Sequence, residues 1–140
     1  MNDTSLEDLV PYLQAKGVGI VNASPLSMGL LTGRGPPDWH PASPGILEAC
    51  ARAAAHCRDR GEDISKLALQ FSASHPGLAT TLVGTASPEH LERNAGWVES
   101  PPDGTLLAEV QAILQPIRNR TWPSGRAWCS IPWACRARAP

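Results

Sequence analysis

The sequence predicts an α/β chain built on two short strands and four or five amphipathic helices. Three observations lead to that class. Val18-Gly19-Ile20-Val21 is a brief apolar run rich in β-branched residues, closed by Ser24-Pro25 and then by Gly29 and Gly33. It reads as a buried parallel strand feeding a loop. Thr80-Thr81-Leu82-Val83 is a second β-prone segment, ended by Gly84. Outside these runs the apolar residues recur at helical spacing, and the order helix, strand, helices, strand, helices is that of an α/β chain.

In chain order, Asp3 or Thr4 is placed to cap a helix that carries Leu6, Leu9 and Leu13 and stops at Gly17. Pro11 falls inside it, where a missing N–H removes one hydrogen bond and bends the chain. The strand at 18–22 follows. Ser43-Pro44 opens the next helix with a hydroxyl cap and a proline in the first turn, and Gly61 closes it. Ile46, Leu47, Cys50, Ala53, Ala54 and Cys57 share one face of that helix, and the face needs a partner. Another helix opens near Asp63, with Ile64, Leu67, Ala68 and Phe71 on one stripe, and ends before His75-Pro76-Gly77. The strand at 80–83 is expected to be covered by helices on its outer face. Ser87-Pro88-Glu89 starts a further helix, and Leu106, Leu107, Val110, Ile113, Leu114 and Ile117 mark a last one after Pro101-Pro102-Asp103-Gly104.

The loop after the first strand holds no acid, base or nucleophile of the usual kind, so its backbone and small hydroxyls suit holding a ligand. Ser24-Pro25-Leu26 with Gly29-Leu30 is similar to the seventh-strand loop of the aldo-keto reductases. Leu82-Val83-Gly84-Thr85-Ala86-Ser87-Pro88-Glu89-His90-Leu91-Glu92-Arg93-Asn94 is similar to that family's eighth strand and following helix. Gly35-Pro36-Pro37-Asp38-Trp39-His40-Pro41-Ala42-Ser43 and Thr121-Trp122-Pro123-Ser124-Gly125 resemble its plant-type L-galactose dehydrogenase branch. The four blocks keep that branch's spacing over roughly residues 2 to 125.

The resemblance implies the C-terminal portion of a (β/α)₈ barrel and, in the full-length family, hydride transfer between C1 of an aldose and a nicotinamide cofactor. It also implies where that cofactor lies. Ser24 and Leu26 match positions lining the pyrophosphate, with Pro25 and Gly29 in the same loop. Gly84, Thr85, Ser87, His90 and Asn94 match positions around the adenosine phosphate and adenine. Members that prefer NADP place Lys where Gly84 stands and Arg where His90 stands. Glycine offers no charge and an ordinary histidine is mostly neutral at pH 7, so NAD is the expected cofactor, with NADP kept open by Arg93. Read from the residues alone, Ser87 is a helix cap. An aromatic ring that would stack on nicotinamide is replaced by Ala23.

A barrel of this kind takes about 250 residues, with about 200 as a floor, and the chain has 140. The expectation is a partial barrel that lacks the family's catalytic Asp, Tyr, Lys and His and is inactive alone. No catalytic residue is assigned. Tyr12 and Lys16 keep an i, i+4 spacing but lie outside the loop, and Tyr12 is read as packing. Two strands cannot close a barrel, and the unpaired stripes would leave apolar surface that monomers rarely tolerate. A complementary barrel half is one remedy; instability is the other outcome. The alternative reading is a non-catalytic truncated isoform or incomplete gene model that pairs with another chain or has no function.

Composition sets further bounds. A formal charge of −1 and 42% hydrophobic residues are ordinary for a globular chain and give no electrostatic footprint for nucleic acid. No run approaches the roughly 18 apolar residues of a membrane helix, and Met1-Asn2-Asp3-Thr4 lacks the features of a signal peptide. No membrane partner and a cytoplasmic location are expected. Cys50 and Cys57, seven residues apart on one helix, are about 10 Å apart along its axis, beyond the reach of a disulfide, and read as core thiols. No Cys or His arrangement completes a metal site. His40, His56 and His75 have no acid or nucleophile nearby in a recognisable arrangement and read as structural or exposed. The partial domain is placed at 1–123. Residues 124–140, with arginines and tryptophans but no acid and no periodicity, read as a disordered tail.

Overall fold

The computed structural model describes residues 1–122. In chain order the elements are α1 (Ser5–Ala15), β1 (Val21–Ala23), α2 (Pro44–Asp59), α3 (Ile64–Ala73), β2 (Thr80–Leu82), α4 (Pro88–Trp97) and α5 (Gly104–Leu114). Short 3₁₀ turns occupy Ser27–Gly29 and Gln115–Ile117. The strands pair in parallel, Val21 beside Thr80, Asn22 beside Thr81 and Ala23 beside Leu82. The ladder continues at both ends, where the Ala79 N–H donates to the Ile20 carbonyl (2.8 Å) and the Ser24 N–H to that of Leu82 (3.2 Å). The α/β class, the two parallel strands and the five helices agree with the sequence reading. The segment 124–140 and Cys129 and Cys135 lie outside the described residues.

The core sits to one side of the sheet. Ile46, Ala49, Cys50, Ala53 and Cys57 of α2 pack with Leu106, Val110 and Leu114 of α5, Ile64, Leu67 and Ala68 of α3, and Leu30 and Leu31 from the loop after β1. Burying a Leu or Ile side chain contributes about 1.5–3 kcal/mol, so these helices hold most of the fold's apolar stabilisation. Burial pushes the Cys50 thiol up to about 11 and raises that of Cys57, with Asp63 and Glu62 adding to the effect. Both are free thiols inside the core. At its rim the His56 Nε2 lies 2.8 Å from Glu109 Oε2, and Arg60 lies 3.4 Å from the same carboxylate. The acid that the sequence reading did not find for His56 therefore comes from α5.

The N-cap side chains of α3, α4 and α5 bond their helix starts, and those of α1 and α2 do not. Asp63 accepts from the Ser65 N–H, and Asp103 from those of Thr105 and Leu106. Ser43 makes no side-chain cap; Pro44 alone fits the start of α2, since its missing N–H leaves no orphan donor there. At α1 the Asp3 carboxylate, not the Thr4 hydroxyl, accepts from the Ser5 N–H (2.8 Å), and the helix runs on through Pro11. The 3₁₀ turn at Gln115–Ile117 ends the last apolar stripe, because Pro116 has no N–H to extend an α-helix.

Burial near the sheet departs from expectation. The first strand is shorter and later than 18–22, and Ile20 is buried while Val18 and Val21 are exposed. A strand buried on both faces needs covering layers; here Thr81 donates to the Ser72 carbonyl of α3 (3.2 Å), while Val21 and Leu82, which point to the opposite face, are exposed. In α1 only Val10 is buried, against the turn at Gly77. Leu9 of the expected stripe is exposed, and so is Tyr12, 62% accessible and therefore not a packing residue. No residue of α4 is buried.

Candidate functional site

After β1 the backbone makes an uncommon excursion. Ser24, Ser27, Met28 and Gly29 have φ of 57°, 50°, 56° and 96°, the left-handed region that side chains other than glycine rarely adopt. Three contacts define the loop. The Ser27 N–H donates to the Ser24 carbonyl (2.8 Å), the Thr32 hydroxyl donates to that of Gly29 (2.8 Å), and Gly29 packs on the next segment. A Cβ at Gly29 would stand 3.3 Å from both the Gly35 oxygen and Pro36 Cα, so its φ of 96° and this tight approach together favour glycine.

After β2 the chain passes through Gly84 and Thr85 to Ser87, which caps α4. The Ser87 hydroxyl accepts from the His90 N–H (3.3 Å) and donates to Glu89 Oε2 (2.9 Å). The parallel pairing of β1 and β2 sets their C-terminal ends side by side, and the two loops enclose a cleft of about 510 Å³. Leu26, Gly29 and the loop through Gly33, Arg34 and Gly35 form one wall; Gly84, Thr85, His90, Arg93 and Asn94 form the other. Asp63 and Ser65, at the start of α3, complete it.

Six of the nine residues singled out from the sequence thus share one cleft: Leu26, Gly29, Gly84, Thr85, His90 and Asn94. Ser24, Pro25 and Ser87 do not line it. Ser24 continues the strand ladder, Pro25 is buried beneath the loop and Ser87 holds the first turn of α4. Arg34 is the residue that sequence reasoning missed. The signal was a cation between Gly33 and Gly35 in a loop already marked as ligand-facing. No carboxylate lies within ion-pair distance of Arg34 or Arg93 among the described residues. The guanidinium of Arg93 stacks 4.8 Å from the Trp97 ring centroid, which orients it along α4. The cleft's one carboxylate, Asp63, is engaged as the α3 cap.

Tyr12 and Lys16 meet on α1, with the ammonium 6.0 Å from the ring centroid, and neither lines the cleft. Among the described residues no group of three or more His, Cys, Asp or Glu side chains is arranged to hold a metal ion, and no helix is long and apolar enough to cross a membrane.

Residues 1–115 match the model of the aldo/keto reductase family. The chain belongs to that family. Over 129 residues it is 50% identical to L-galactose dehydrogenase of Arabidopsis thaliana, a match that takes in 89% of this chain and 40% of the plant protein. It is 30% identical to D-arabinose 1-dehydrogenase of Saccharomyces cerevisiae over 117 residues, covering 76% of this chain and 35% of the yeast one. Among solved structures, the apo form of an aldo-keto reductase from Bacillus halodurans superposes with a TM-score of 0.62 at 24% identity, over 87% of this chain and 42% of that one. That likeness is one of fold. This aldo/keto reductase chain therefore spans about 40% of the length of the curated relatives it matches, and its two strands and five helices are part of an α/β barrel.

Proposed function

We propose that the chain forms the cofactor-holding part of a nicotinamide-dependent sugar dehydrogenase, and that its cleft takes the phosphate and adenosine portion of NAD. The observation that carries this reading is the meeting, at the ends of two parallel strands, of Leu26 and Gly29 with Gly84, Thr85, His90 and Asn94. The residues present suit such a group. Gly29, Gly33, Gly35 and Gly84 let a diphosphate approach the backbone, and Arg34 and Arg93 supply positive charge that no carboxylate among the described residues pairs with. A volume of about 510 Å³ lies within the usual range of ligand pockets, roughly 300–1,000 Å³, and suits part of a dinucleotide. Asn94 offers both amide donors and an acceptor for orienting a base.

When bound, a nicotinamide dinucleotide supplies the acceptor for hydride from a sugar. The substrate class is carried from the plant and yeast relatives, named for L-galactose and D-arabinose. The proton-transfer residues come from the remainder of the barrel, which packs against the open edges of β1 and β2, and residues 1–123 without it are inactive. NAD is preferred over NADP because Gly84 and His90 stand where NADP-preferring members carry Lys and Arg. A 2′-phosphate then forgoes charge-assisted hydrogen bonds worth about 1.5–3 kcal/mol each.

Thermal unfolding of residues 1–140 with each cofactor tests the reading. NAD at about a hundred times its Kd raises stability by about 2.7 kcal/mol, and NADP at the same concentration raises it less. The double substitution Gly84→Lys with His90→Arg reverses that order, since a Cβ at Gly84 meets no atom within 4 Å. A midpoint that neither cofactor moves contradicts the proposal.

A further inference from the structure

The geometry points to His40 as the residue that positions the cleft-lining loop, with Trp122 as its support. The inference rests on the cofactor reading only for the loop's ligand; the conformational claim stands separately. Of the two sequence blocks that resemble the plant-type branch, residues 35–43 contribute only Gly35, Pro36 and Pro37 to the cleft wall, and Thr121 and Trp122, the described residues of the other, contribute none. They meet instead at one ring. His40 is 7% exposed, and its imidazole lies edge-on to the Trp122 ring with centroids 4.8 Å apart.

Both ring nitrogens are used. The Ala42 N–H donates to Nδ1 (3.1 Å), which places the ring proton on Nε2, and Nε2–H faces the Ser27 carbonyl at 3.3 Å. That carbonyl belongs to the first of three consecutive residues in the left-handed region, Ser27, Met28 and Gly29. Strained conformations of this kind cost about 1–3 kcal/mol each and persist only where surrounding contacts over-determine them. The loop's own bonds, from the Gly29 and Leu31 N–H groups to the Leu26 carbonyl and from the Leu30 N–H to that of Ser27, are local. Of the hydrogen bonds to this segment among the described residues, the one from His40, thirteen residues away, reaches furthest along the chain. It fixes where Leu26 and Gly29 stand in the cleft. In this account the two branch-like blocks are a clasp beneath the site.

Two variants separate the ring's two bonds. His40→Gln places an amide donor near the position of Nε2 and keeps the reach to Ser27. His40→Asn keeps an acceptor for the Ala42 N–H in an Asx-type turn and loses that reach. Amide hydrogen exchange of Gly29, Leu30 and Leu31, referenced to α2, and NAD affinity are measured on residues 1–140. The expected result is exchange faster by about tenfold in His40→Asn, as for one lost hydrogen bond, with NAD affinity weakened in parallel and both restored in His40→Gln. Equal behaviour of the two variants overturns the inference, as does an unprotected loop in the parent chain. Should the parent fail to bind NAD, the cofactor reading falls, and the exchange comparison alone decides the role of His40.

Discussion

The helical layer and the sheet of this molecule bury their sequences very differently. In α2, α3 and α5 the apolar stripes meet one another, and Ala53, Cys57 and Val110 are fully inaccessible. Around β1 and β2 the same residue types face outward: Val21 is 56% exposed, Leu82 57% and Leu91 58%. The lesson is one of where an aldo/keto reductase chain keeps its stabilising contacts. The helices α2, α3 and α5 bury their stripes against one another, whereas the strands leave Val21 and Leu82 exposed. The cleft lies at the seam, with the helical layer fixing its base through Asp63 and Ser65 and the sheet presenting its two walls.

The largest effect that distinguishes the regions is in core truncation. Leu114→Ala, at a side chain 1% exposed, is expected to destabilise by about 2–5 kcal/mol, enough to remove cooperative unfolding from a marginal chain. Leu91→Ala on α4 is expected to stay within about 0.5 kcal/mol. Denaturant midpoints of the two variants check this, and comparable losses would break the contrast.

A smaller effect probes how α1 is joined to the rest. A Cβ at Gly77 would overlap Cγ1 of Val10, the helix's one buried residue. Overpacking of that kind costs about 1–3 kcal/mol, and here it falls on a helix otherwise tied at its start by the hydrogen bonds of Asn2 and Thr4 to Ile117 and Asn119. Gly77→Ala is expected to speed amide exchange in α1 while leaving α5 unchanged.

The smallest effect is electrostatic. The Asp103 carboxylate is held below its ordinary 3.8 by the Leu106 and Thr105 N–H groups that it caps, and Asp3 below its own by Ser5. A carboxylate whose folded value is depressed contributes stability that is complete above its unfolded value and fades as pH falls through the folded one. Both caps therefore lose their contribution below pH 3.8. Asp103→Asn keeps an acceptor that does not titrate, so its acid unfolding curve is expected to be flatter on that limb than the parent's.

Much of this was legible in the sequence because the signals were local. Periodicity gave the α2 face and the α5 stripe, Asp63 and Ser87 announced their helices, and Leu26, Gly29, Gly84, Thr85, His90 and Asn94 were gathered by the family resemblance. What was not legible depends on distant partners. The exposure of Val21 and Tyr12 follows from which neighbours a strand or helix has, which its own pattern does not encode. Glu109 reaches His56 from 53 residues away, and Arg34 lines the cleft opposite residues 84–94, some fifty positions on. The same holds for His40, whose partner Trp122 is distant in sequence.

The most direct test of the central claim is a hydrogen-exchange footprint of residues 1–140 with and without NAD. Protection confined to the loops around 26–35 and 84–94, with α2 and α5 unaffected, is the predicted result. Saturating NAD that leaves both loops unchanged, or that protects the exposed sheet edges instead, would contradict the assignment of the cleft.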